Sequence, residues 1–198
     1  TATLRIWLNP GKYVLTAFNS VTGEELGFNV TVLSTVITEN LVKYYKNESQ
    51  FVVKVLNGDG TPANGTNVTF NINGVFYTKE VINGTATLNI NLYPGDYIIT
   101  TMYGKYAVGN NVTVLPTLIT KDLDMKFQDG SNFTAKTLDG QGKPLANQNI
   151  TFNVNGVFYN RTTDENGMAN LLIRLNPGKY IITSIWNEYQ VGRTITIA

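Results

Sequence analysis

TATLRIWLNPGKYVLTA, from Thr1 to Ala17, returns as TATLNINLYPGDYIITT from Thr85 to Thr101 and again as MANLLIRLNPGKYIITS from Met168 to Ser184. The three phrases begin 84 and then 83 residues apart. A phrase that recurs at such a spacing marks a chain built from repeated modules, each with its own apolar face to bury. Two further phrases recur at an offset of 82 residues: QFVVKVLNGDGTP from Gln50 as NFTAKTLDGQGKP from Asn132, and NVTFNINGVFY from Asn67 as NITFNVNGVFY from Asn149. The junctions also match, VLSTVITENL from Val32 with VLPTLITKDL from Val114. The boundaries that follow are one repeat over 34–115 and another over 116–198. Residues 1–33 are then the C-terminal half of a repeat whose early strands are missing.

Within a repeat the apolar residues alternate with period two: Phe51, Val53 and Val55; Val68, Phe70 and Ile72; Ala86, Leu88 and Ile90; Tyr97 and Ile99; Val112 and Val114. Alternation of this kind places every second side chain on one face and predicts half-buried antiparallel strands. Gly58-Asp59-Gly60, Asn73-Gly74 and Pro94-Gly95 separate the runs, and Asn-Gly between alternating segments is a strong hairpin signal. No stretch has a helical period. Six to eight short strands in roughly 80 residues supply two inner faces, so the fold class is all-β, tandem immunoglobulin-like antiparallel β-sandwiches. The Pro-Gly-x-Tyr phrases set Tyr13, Tyr97 and Tyr180 at the start of a late strand, where a hydroxyl bonding back to the chain and a plain core ring are both open readings.

Composition removes several function classes. Fifteen Lys and Arg stand against 14 Asp and Glu, a net charge of +1 that offers nothing to a nucleic acid. The 198 residues include no cysteine, so no disulfide or thiolate metal site exists, and no histidine, which removes the commonest general base and metal ligand. No segment approaches the roughly 18 continuous apolar residues of a membrane span, and Thr1-Ala2-Thr3-Leu4-Arg5 is no signal peptide. No nucleophile elbow, phosphate loop or paired-carboxylate motif occurs. The chain is expected not to be an enzyme and to need no cofactor or metal.

The phrases YYKNESQFVVKVLNGDGTP, VTFNINGVFYTK, TATLNINLYPGDYIITT and the VLPTLIT junction resemble the repeats of adhesin-like surface proteins of methanogenic archaea, which are similar to bacterial immunoglobulin-like domains. The resemblance covers essentially the whole chain. It implies an extracellular, cell-surface location and a structural or adhesive stalk or filament, with neighbouring repeats or subunits, cell-surface glycans or proteins as partners. Two other readings stand beside it: a carbohydrate- or protein-binding module working through aromatic hairpin tips, and a repeat region appended to a surface enzyme.

Acceptor motifs for N-glycosylation, Asn-x-Ser/Thr, fall at Asn29, Asn47, Asn64, Asn67, Asn83, Asn111, Asn132, Asn149 and Asn160. Asn67 and Asn149 sit beside inward Val68 and Ile150 and should face outward. Tyr103 with Tyr106, and Trp186 with Tyr189, flank hairpin tips where rings could stack on sugar or simply on each other. Lys54 and Lys136 occupy equivalent positions, but both lie between inward residues and should point to solvent, which disfavours an isopeptide bond. Asp59, Asp139, Asp164 and Glu165 lie in turns, where an acid usually caps the local backbone and less often binds calcium. In residues 1–33, the face of Ala2, Leu4, Ile6, Leu8, Tyr13, Leu15, Val30 and Val32 has no early strands to cover it. It is expected to be completed by upstream sequence or by partner strands added edge to edge.

Overall fold

The computed structural model describes residues 3–198, and Ala2 of the expected apolar face lies outside them. Among the described residues every regular element is a strand. In chain order they are β1 (Gly11–Phe18), β2 (Glu25–Val32), β3 (Val36–Thr38), β4 (Leu41–Tyr44), β5 (Gln50–Val55), β6 (Thr66–Ile72), β7 (Val75–Val81), β8 (Thr85–Asn89) and β9 (Gly95–Tyr103). There follow β10 (Tyr106–Leu115), β11 (Leu118–Thr120), β12 (Leu123–Met125), β13 (Asn132–Thr137), β14 (Asn149–Val154), β15 (Val157–Thr162), β16 (Met168–Leu172), β17 (Gly178–Trp186) and β18 (Tyr189–Ile197). The fold class is as the alternation predicts.

By contacts the chain divides into two units. The first gathers Thr1–Asn40, Gln50–Leu88 and Tyr97–Asn111. Here β1 and β2 make a sheet of their own, β3-β5-β8 makes a second, and β9, β6 and β7 lie side by side in a third. The period-two pattern is obeyed strictly on β5 and β6, where Phe51, Val53, Val55, Val68, Phe70 and Ile72 are all buried, with Phe51 and Phe70 meeting edge to face at 5.9 Å. β6 and β7 are joined through Asn73 and Gly74, both at positive φ (53° and 77°), which is the backbone of a two-residue primed turn.

The second unit gathers Leu41–Ser49, Asn89–Asp96 and Val112–Ala198. It holds a three-stranded sheet, β11-β13-β16, and a five-stranded one, β12-β18-β17-β14-β15. Between them lies one core built from Leu118, Phe133, Phe152, Leu171, Ile182 and Ile195 among others. Phe133 and Phe152 repeat the edge-to-face contact at 5.8 Å. Strand pairing is antiparallel with one addition to the expectation: β12 runs parallel to β18, as β4 runs parallel to the end of β10.

The hairpin β1–β2 departs from its counterparts. Its register pairs Tyr13 with Val30, Leu15 with Phe28 and Ala17 with Leu26, so these residues share one face with Gly11 and Val32. Residues 3–5, the described part of the counterpart of β16, are not in a strand. β16 is held by backbone pairing to β13, from Asn132↔Leu172 to Lys136↔Met168. Residues 3–5 carry the matching phrase without a neighbouring strand to pair with, and a segment gains a regular ladder only from such a neighbour.

Candidate functional site

The sequence points to two kinds of site, and the structure treats them differently. Eight of the nine acceptor asparagines are exposed. Asn67 on β6 and Asn149 on β14 both lie beside a fully buried neighbour, Val68 and Ile150, so their amides face outward as expected. Asn47 is the exception. It is half-buried, its amide nitrogen donates to the Gly140 carbonyl at 2.6 Å, and its Oδ1 accepts from the Ser49 amide at 2.8 Å. A sugar on that nitrogen would cost the first of these bonds. Asn160 Oδ1 accepts from Thr151 Oγ1 at 2.8 Å, and Asn64 Oδ1 accepts from the Asn83 amide at 3.0 Å. Both leave the amide nitrogen available.

Of the four aromatic tip residues, Trp186 and Tyr189 face each other across the last pair of β17 and β18. The Trp186 indole donates to Gln148 Oε1 at 3.3 Å. Tyr189 meets two rings that the sequence reading left aside: Tyr45 at 5.5 Å and Tyr93 at 6.0 Å, with Tyr45 and Tyr93 themselves stacked at 5.6 Å. All three belong to the second unit. The Lys46 ammonium lies 5.6 Å from the Tyr45 ring centre and 3.9 Å from Glu188. Burial first, then the charges of Tyr93, Glu188 and Tyr189, push the Tyr45 phenol above its ordinary range. Beside this cluster is a concavity of about 210 Å³, lined by Tyr45, Thr117, Leu138, Trp186 and Tyr189. Tyr103 and Tyr106 flank the tip between β9 and β10 and are half-buried.

The turn acids cap backbone. Asp139 Oδ1 accepts from the amides of Gln141 and Lys143 at 2.9 and 2.8 Å, and Asp164 Oδ1 from those of Asn166 and Met168, both at 2.9 Å. Asp59 accepts from the Thr61 hydroxyl and amide, and these bonds hold its carboxyl below the usual range. Among the described residues no three acidic side chains converge as a cation site would require. Lys54 is exposed, as expected, and Lys136 is half-buried.

The lysine that is buried is Lys43, on β4. Its ammonium donates to the carbonyls of Ser49 at 2.9 Å and Ile90 at 3.0 Å, and desolvation lowers its pKa. The equivalent position on β12 is Met125, also buried. In the Pro-Gly-x-Tyr phrases the hydroxyl bonds back to the chain, one of the two open readings: Tyr13 donates to the Asn9 carbonyl at 2.7 Å and Tyr180 to the Asn176 carbonyl at 2.9 Å.

No family description and no curated protein matches the chain. Among solved structures it is similar to the I9-I11 tandem of titin (15% identity, 96% of this chain and 76% of that one, TM-score 0.40). It is also similar to the D0-D1 domain of intimin (16% identity, 82% and 96%, TM-score 0.36). A third likeness is to invasin, a bacterial integrin-binding protein (18% identity, 82% and 38%, TM-score 0.34). The functional reading rests on the chain's own residues.

Proposed function

We propose that this chain is a non-enzymatic, extracellular stalk or filament segment at a cell surface, made of tandem immunoglobulin-like modules over 34–115 and 116–198 and carrying N-linked sugar. The observation that supports it best is duplication with the surface retained. The phrase around Asn67 returns around Asn149 on equivalent strands, each time with the core residue buried and the asparagine exposed. A repeated, outward acceptor gives a module that offers length and a sugar-bearing surface. Peptide mapping by mass spectrometry of protein from its natural source is the test. Added hexose-type mass on peptides containing Asn67 and Asn149 is expected; the same peptides at their unmodified masses would overturn the glycosylated reading.

The concavity beside Trp186 supports a second reading, a binding module for a glycan or a protein segment. The faces of Tyr45, Tyr93 and Tyr189 are turned on one another, which leaves less ring surface for a sugar than three separate aromatics would. Titration of neutral oligosaccharides against Trp186 fluorescence discriminates the two: saturable quenching favours binding, and no change favours the stalk.

A further inference from the structure

One face of the β1–β2 hairpin is apolar over its whole length. Tyr13, Leu15, Ala17, Leu26, Phe28, Val30 and Val32 share it by register, while the other face is mixed, with Lys12, Thr16, Glu25, Asn29 and Thr31 beside exposed Val14 and Phe18. In a module of this chain such a face is covered, and residues 116–198 show by what. There the hairpin β17–β18 has β14 beside β17, in register from Thr151↔Ile185 to Val154↔Ile182, and β12 parallel beside β18, from Leu123↔Ile195 to Met125↔Ile197. The preceding strand, β16, lies beside β13. Each of these three pairings has a vacant counterpart in residues 3–32. The edge of β1, the edge of β2 and residues 3–6, the described counterpart of Asn170–Ile173, are where β14, β12 and β13 would lie.

The side chains tell the same story. Leu171, Ile173, Ile182, Ile195 and Ile197 are at most 4% exposed, whereas Leu4 is 67%, Ile6 41% and Leu8 46% exposed. The matching phrase therefore presents a row of core residues to solvent. A sheet face of this kind, with two free edges, is a template for added strands. We propose that residues 3–6 and the apolar face of β1–β2 form an acceptor for a polypeptide segment with the strand pattern of residues 116–167. Such a segment brings a short strand to run parallel beside β2. It also brings an alternating Phe-x-Ala-type strand to pair with residues 3–6 and an Ile-x-Phe-x-Val-type strand to pair with β1.

The occupant is a donor of that chemistry and not a second copy of residues 34–198. In this chain β12, β13 and β14 already pair within their own sheets, so a copy could lend them only by opening its own module. A glycan is the wrong shape, because the vacancy includes three runs of backbone N–H and C=O groups that only another strand completes. The inference goes beyond the stalk reading and does not depend on the presence of sugar.

Hydrogen exchange followed by mass spectrometry on the full chain tests it in two arms. In one, a polypeptide of residues 116–167 is added as the probe, beside a control probe with Phe133→Asp and Phe152→Asp. In the other, a copy of 116–167 is joined directly ahead of Thr1, so that a weak encounter in trans does not limit the result. Slowing of exchange on the order of 100-fold across 11–32, with new protection over 3–6, is expected in the fused chain and in the same peptides with the probe. Unchanged exchange at 4–32 in the fused chain overturns the proposal. So does equal protection by the control probe, or protection by the probe confined to 85–115. Protection of 4–32 that rises with the concentration of the unmodified chain alone would assign the face to a second copy and overturn it too.

Discussion

The hairpins β1–β2 and β17–β18 come from one phrase and have unlike surroundings. Both carry Pro-Gly-x-Tyr at the entrance, and both tie the tyrosine hydroxyl to a carbonyl four residues upstream. In β17–β18 the inward residues Ile182 and Ile195 are wholly buried, while Leu15 and Val30 at the same places remain partly open. Backbone turn chemistry and register are thus local properties, set by residues within the hairpin. Burial is not local: it depends on strands contributed from dozens of residues earlier. The same division separates what a repeat phrase can specify from what the rest of the module must supply.

Truncating equivalent residues should expose this difference most strongly. Ile182→Ala opens a cavity in a filled core and is expected to destabilise its module by about 3 kcal/mol. Leu15→Ala should cost about 1 kcal/mol or less, because Leu15 is only half-buried and no filled core surrounds it. Trp186 is half-buried at the end of the same strand as Ile182 and Trp7 is 86% exposed, so denaturant unfolding followed by tryptophan fluorescence reads chiefly the module of Ile182. Equal midpoints for the two variants would break the comparison.

A second contrast is Lys43 against Met125. A buried ammonium held by two carbonyls is less favourable than a fitted apolar side chain, and Lys43→Met is expected to stabilise by about 1 kcal/mol at pH 7. The pH dependence has a definite sign. The folded pKa of Lys43 lies below the unfolded value of 10.5, so the unfolded chain binds more protons between those two values. The penalty is full below the folded pKa and is relieved as pH rises towards 10.5. The advantage of the variant should therefore shrink between pH 7 and pH 10 in urea titrations. A constant advantage would show that the charge is not its source.

Tyr180→Phe removes one hydroxyl bond to the Asn176 carbonyl and should lower the unfolding midpoint of its module by an amount equivalent to about 0.5 kcal/mol. Tyr13→Phe removes the matching bond to Asn9 and should leave that midpoint unmoved. A shift with Tyr13→Phe would couple the hairpin to the module.

Much of this was legible in the sequence, for physical reasons that also mark the limit. Strand alternation placed Phe51, Val53 and Val55 inside and Lys54 outside, because period two follows from the pleat itself. The outward aspect of Asn67 and Asn149 followed from the same rule. Residues 3–5 repeat the text of a strand, yet form none in the structure, since a strand is defined by its neighbour. Leu26 and Phe28 joined the apolar face unforeseen because the longer loop over 19–24 hid their pairing with Ala17 and Leu15. Lys43 was overlooked because a lysine on a short strand reads as solvated until the carbonyls of Ser49 and Ile90 are seen to receive it. The ring cluster draws on residues 45, 93 and 189, a separation that no local pattern reports.

The difference between the two hairpins is tested most directly by amide exchange in the unmodified chain, resolved residue by residue. The account predicts protection near the global limit for β14, β17 and β18, and exchange in β1 and β2 within roughly tenfold of an unfolded chain, as expected for a two-stranded sheet in water. Protection of β1 and β2 equal to that of β17 and β18, with no donor present, would contradict it.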